Sequence, residues 1–225
     1  MNEYNFTIAL IIVEIIFSIM VLSALRKAGA RRDVLGVLGT VFLAWFGAAY
    51  YMVSHGMFSA TGSPQIVFTV AVMIPVILGL LAQKYWKPFD EAIGNMPTET
   101  LLSLQQMRAA FGLMFFFTSA LPVWFQYVGG LGDIAAGIGA FFALSYLRKN
   151  PDQERRAIIE GNLVGILDFI IVLNLGVLVV LDGHSPDITF NLIPIYVVPT
   201  FILLHIFSLQ KLKKPVHNFG NQISA

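Results

Sequence analysis

Seven apolar runs dominate the chain. They fall at about 5–25, 34–54, 66–84, 103–127, 131–147, 161–181 and 191–210. A helix rises 1.5 Å per residue, so each run is long enough, or nearly so, to cross roughly 30 Å of hydrocarbon. The shortest is 131–147, which is also rich in glycine. This pattern predicts an all-α integral membrane bundle of seven transmembrane helices, forming one domain over residues 1–225. Composition agrees: 57% of residues are hydrophobic and only 12% are charged, whereas an ordinary soluble domain is nearer a quarter charged.

The basic residues orient the spans. Arg26, Lys27, Arg31 and Arg32 follow the first run, and Lys84 and Lys87 stand at the end of the third. Arg148, Lys149, Arg155 and Arg156 separate the fifth and sixth, and Lys211, Lys213 and Lys214 follow the last. Of the 14 Lys and Arg, 13 stand at or beyond the expected inner ends of the spans, only Arg108 falls inside one, and the predicted outer segments carry none. Cytoplasmic loops are enriched in Lys and Arg, so the N-terminus is expected outside and the C-terminus in the cytoplasm, most simply in a bacterial plasma membrane. The outer segments "MNEYN", "SHGMFSATGSPQ", "YVGGLG" and "DGHSPDITFN" are too short to fold as domains. The start of the chain lacks the basic region and small-residue cleavage site of a signal peptide.

The segment "QKYWKPFDEAIGNMPTETLLSLQQ" is the longest connection. Tyr85, Trp86, Phe89 and Ile93 can share an apolar side with Lys87, Asp90 and Glu91 toward water, so an interfacial helix is expected near 85–95. Thr98 is placed to cap the fourth span. "RKNPDQERR" reads as a polar loop, and the tail 215–225 as frayed.

Charge inside hydrocarbon is costly and marks a cavity or a partner. Five ionisable residues fall within the runs: Glu14, Arg108, Asp133, Asp168 and His205. By helix rise, Arg108, Asp168 and His205 lie roughly 8–10 Å from the basic end of their spans, in one layer of the inner half of the bundle. An ion pair between Asp168 and Arg108 with His205 beside it is expected there. Gln105 and Asn162 border the same faces, making these five residues the candidate ligand-facing or substrate-path set. Asp133 and Gln126, near the predicted outer ends of their spans, form a second candidate polar site. Glu14 stands near mid-membrane with no cation close in sequence. A carboxyl buried alone there is cheapest as the neutral acid, making it a candidate proton-coupling group.

Other chemistries have little support. There is no cysteine, so thiolate ligands and disulfides are absent, and no HxxxH or HExxH spacing suggests a metal site. A net charge of +1 and the lack of a basic tract argue against nucleic acid as a partner. The sequence indicates no cofactor, no catalytic residue and no oligomeric state. Three functions fit the polar layer. The first is a small-molecule or ion transporter. The second is a membrane-embedded enzyme or binding protein acting on a lipid-soluble ligand. The third is a structural subunit of a membrane complex. In all three the lipid bilayer is the primary partner.

Overall fold

The computed structural model describes residues 3–58, 64–118, 121–181 and 191–213. The described chain is helical throughout, and six of its helical segments are long and apolar enough to cross a bilayer. The protein is therefore a polytopic, all-α integral membrane protein.

Helices α1 (Glu3–Lys27) and α2 (Arg32–Ser54) form a hairpin. Its turn is closed by the Ala30 amide donating to the Leu25 carbonyl, and Gly29 sits at φ +90, a left-handed conformation that side chains with a Cβ resist. Helix α3 (Pro64–Tyr85) leads into the short amphipathic helix α4 (Lys87–Asn95), which starts at a Lys-Pro pair suited to a first helical turn. Phe89, Ala92 and Ile93 of α4 are buried, and Lys87 and Glu91 are exposed.

The run expected as one span over 103–127 is interrupted. Helix α5 (Thr98–Gln105) runs into its start from upstream, and α6 (Arg108–Met114) and a 3₁₀ turn at Phe115–Phe117 follow within it. At Gln106, Met107, Ala109 and Ala110 the backbone amides donate to carbonyls three residues back, tightening the chain into 3₁₀ geometry. Thr98 does not cap the run; its hydroxyl donates to the Glu154 carboxylate.

Helix α7 (Val123–Lys149) begins directly after Pro122. It contains the "YVGGLG" segment expected as an outer loop, along with the whole of 131–147. Residues 123–127, including Gln126, thus belong to α7 and not to the preceding run. Glycine is needed at 129 and 130 of that helix because Phe115 and Phe116 occupy the space side chains there would take.

Helix α8 (Glu154–Leu181) starts earlier than the apolar pattern suggests, leaving a 3₁₀ turn at Pro151–Gln153 as the connection from α7. The last helix, α9 (Val198–Gln210), is preceded by a π-helical turn at Ile193–Val197. Pro199 explains that turn. It has no N–H for the Ile195 carbonyl one turn back, and Trp45 Nε1 of α2 donates to that oxygen at 2.9 Å instead. The tail 215–225 lies outside the described residues.

Two kinds of packing hold the bundle. On one side, Phe17 of α1, Phe111 of α6 and Phe201 of α9 pack ring against ring, with centroids 4.5–5.9 Å apart. On the other, α6, α7 and α8 approach closely through glycine. A Cβ at Gly112 would lie 2.6 Å from the Gly130 carbonyl oxygen, and one at Gly137 would lie 2.6 Å from the Ala109 amide. Lipid surrounds such helices, so close backbone approach replaces the hydrophobic drive available in water. The α5–α6 segment runs antiparallel to α7, with Phe116 beside Gly130 and Ala109 beside Gly137.

Candidate functional site

Arg108 is the hub. It opens α6 at the 3₁₀ break and is 1% exposed. Its Nε donates to Asp133 Oδ1 of α7 at 2.7 Å, and its Nη1 donates to the Gly165 carbonyl of α8 at 2.8 Å. Its Nη2 donates to Asp168 Oδ2 of α8. The guanidinium carbon lies 3.8 Å from the ring centroid of Phe169, so one flat face is covered by an aromatic ring. Every edge of the cation is engaged, which is the condition for keeping it inside hydrocarbon.

Two glycines make room for the hub. A Cβ at Gly132 would overlap Asp168 Oδ1. A Cβ at Gly165 would stand 2.6 Å from His205 Cε1 and 2.7 Å from Arg108 Nη1. Gly165 therefore separates the hub from His205 by little more than its own backbone.

A second network adjoins the first. His205 of α9 meets Asn162 of α8, with Nδ1 2.7 Å from Oδ1. The Asn162 amide nitrogen donates to the Ile158 carbonyl at 2.6 Å and to Ser208 Oγ at 2.9 Å. With that orientation Asn162 Oδ1 accepts, so His205 Nδ1 carries the proton and Nε2 presents a lone pair. Gln105 Nε2 of α5 also donates to Asn162 Oδ1, at 3.3 Å. Phe169 meets the His205 ring edge-on, with centroids 5.7 Å apart. In this cluster His205 Nε2 and Gln105 Oε1 are buried with no hydrogen-bond partner among the described residues, and so is Gln106 Nε2 at the break between α5 and α6. Unspent polar atoms at such depth are costly.

The structure brings Arg108, Asp168, His205, Gln105 and Asn162 together. One feature differs from the sequence reading. Asp133 belongs to the Arg108 hub and not to a separate outer site. The outer site fails because α7 begins at Val123, so Asp133 stands well inside the helix and projects toward α6. Gln126 is not near it; its amide donates to the Leu121 carbonyl at 2.8 Å and closes the start of α7.

Glu14 stands apart. It is completely buried in α1, and both carboxyl oxygens lack hydrogen-bond partners among the described residues. One turn further along, Ser18 Oγ donates to the Glu14 backbone carbonyl and lies 2.7 Å from the Tyr196 hydroxyl in the π-turn.

The Gly165 carbonyl and the Trp45–Ile195 bond were not singled out from the sequence. Pro199 carried a signal for the last, since it orphans the Ile195 carbonyl and a donor from another helix must answer. Among the described residues no cluster of His, Asp and Glu has the arrangement of a metal site.

Neither a curated protein nor a solved structure matches the chain. Residues 65–213, from α3 to the end of the described chain and including every member of the hub, match the model of the domain of unknown function DUF8737, and the chain belongs to that family.

Proposed function

We propose that this protein is a small-molecule or ion transporter whose path passes the Arg108 cluster. The observation that carries this reading is the set of unspent hydrogen-bonding atoms on His205, Gln105 and Gln106 beside an interrupted helix. Discontinuous helices at mid-membrane are a recurrent way of building transporter sites, because they free polar groups where a ligand can use them. The cluster holds two carboxylates to one guanidinium, an excess of one negative charge that favours a cation or a proton as the travelling species. His205 Nε2 and Gln105 Oε1 are acceptors suited to an N–H or ammonium group on the cargo.

In this reading the α5–α6 segment and its 3₁₀ turn form a seventh, broken crossing. The whole chain is one transmembrane domain with its N-terminus outside and its basic ends in the cytoplasm, most simply in a bacterial plasma membrane. Helix α4 lies along the cytoplasmic interface, and Glu14 serves as the proton-coupling group.

The test is uptake by the purified protein in liposomes, using a panel of cations and amines with and without a proton gradient. Uptake by the unaltered chain that is lost in Asp168→Asn supports the reading. Uptake across the panel no greater than in protein-free liposomes, or full uptake by Asp168→Asn, contradicts it. Glu14→Gln separates the coupling role: the proposal expects uptake that no longer responds to the proton gradient. A response equal to that of the unaltered chain would remove Glu14 from the mechanism while leaving the path intact.

A further inference from the structure

A cavity of about 390 Å³ lies between α1, α2, α3, α4 and α9, away from the Arg108 cluster. Its volume falls within the range of small-molecule sites. Its walls are apolar and aromatic, with Phe42, Trp45, Trp86, Phe89, Tyr196 and Phe207 contributing most of the rings. Trp45 and Tyr196 bring polar tips, but both are spent, one on the Ile195 carbonyl and the other on Ser18. The cavity opens sideways between α2 and α3, since α2 packs mainly on α1 and the π-turn. Val41 of α2 and Leu78 of α3 line it and are still half-exposed.

The opposite character appears at its shallow end. Leu25 lines the cavity and is followed at once by Arg26 and Lys27; Ala82 and Trp86 line it and are followed by Lys84 and Lys87. Arg31 and Arg32 open α2 at the same end. Arg31 is paired with Asp33 and Lys87 with Glu91, whereas no carboxylate pairs with Arg26, Lys27, Arg32 or Lys84 among the described residues. A long apolar slot that ends at an uncompensated basic rim matches one kind of molecule, an amphiphile with an acyl chain and an anionic head.

We infer that the cavity is a binding site for an anionic phospholipid, with one acyl chain between α2 and α3 and its phosphate on the Arg26, Lys27, Arg32 and Lys84 rim. This goes beyond the transport reading and does not depend on it. The chain is dry, deep and ringed by aromatics, so it exchanges more slowly than lipid on the outer surface of the bundle. The head contributes the preference for negative charge.

Tryptophan fluorescence tests this, because two of the three tryptophans line the cavity. In a Trp124→Phe variant, Trp45 and Trp86 report the cavity. A reporter for ordinary surrounding lipid replaces all three tryptophans with Phe and carries Phe142→Trp. That position is on the lipid-facing side of α7, close to its own basic end at Arg148 and Lys149. Phosphatidylglycerol with brominated acyl chains is titrated into phosphatidylcholine bilayers. The inference expects the cavity pair to be quenched at a several-fold lower fraction of the brominated lipid than the Phe142→Trp reporter. Arg26→Gln with Lys27→Gln is expected to weaken that preference by about five-fold for each charge engaged. Native mass spectrometry provides a second readout: Val41→Phe with Leu78→Phe fills the slot and is expected to remove a retained phosphatidylglycerol that the unaltered chain carries. Parallel quenching of both reporters, equal quenching by brominated phosphatidylcholine, or no retained lipid to remove would each overturn the inference.

Discussion

Gly36 and Gly47 of α2 have nothing within 4 Å of where a Cβ would stand, whereas Gly112 and Gly137 each have backbone of a facing helix within 3 Å of that point. The contrast divides the molecule. Around α6, α7 and α8, glycine lets backbones touch and makes room for a buried cation between two carboxylates. Around α2, glycine makes no close contact, the helix leans on its neighbours, and an apolar slot remains. One region is tight and polar at its heart. The other is loose and mainly apolar, with the polar tips of Trp45 and Tyr196 already spent. The same residue type therefore means opposite things in two regions of one chain, and only the facing element decides which.

The largest effect that would test this contrast is at the hub. Arg108→Leu leaves Asp133 and Asp168 buried with no cation. Breaking a buried pair from one side typically costs about 3–5 kcal/mol, so the variant is expected to be recovered poorly or to melt far below the unaltered chain in detergent. Normal thermal stability would show that the hub does not hold α6 to α7 and α8. Next in size, Gly137→Val drives atoms into the Ala109 amide and the Gln106 carbonyl, and overpacking of this kind costs about 1–3 kcal/mol in the same assay. Trp45→Phe removes the donor to the Ile195 carbonyl, an expected loss of about 1 kcal/mol. Adding Pro199→Ala restores an N–H one turn from that carbonyl and is expected to recover part of the loss. At the small end, Gly47→Ala meets no neighbour, and the helical preference for alanine over glycine predicts a gain in stability of about 0.5–1 kcal/mol. A large loss at Gly47 would break the contrast, since it would mean that α2 is also packed through its glycines.

Much of the bundle was legible because burial in lipid leaves a simple trace. The apolar runs at 5–25, 34–54 and 66–84 lie within α1, α2 and α3, and 161–181 and 191–210 mark α8 and the last helix. The middle of the chain was not legible in the same way. Gly129, Gly130 and Gly132 suggest a loop when read by their soluble propensities, but Phe115, Phe116 and Asp168 fill the places of the missing side chains and the helix runs on. The true break at Gln106 and Met107 has no proline or glycine to announce it. The start of α7 at Val123 was hidden as well, and beginning that span at 131 put Asp133 at an outer end on paper, while in three dimensions it meets Arg108. The proximity of Arg108, Asp168 and His205 followed from depth alone, since two opposite charges and a polar ring at similar levels have few places to go but toward each other. What depth could not give was the third helix in the hub, because that depends on where α7 starts.

The most direct test of the proposed path asks whether water-borne solutes reach the cluster. The chain has no cysteine, so a single one can be placed without altering a background. Gln106→Cys puts a thiol beside the 3₁₀ break and Arg108, and Leu163→Cys puts one on the lipid-facing side of α8. With a charged, membrane-impermeant thiosulfonate, the account predicts labelling of Gln106→Cys from one side of the membrane and none of Leu163→Cys. A Gln106→Cys thiol that stays unreactive from both sides, in protein that is folded and inserted, would contradict a path through the hub.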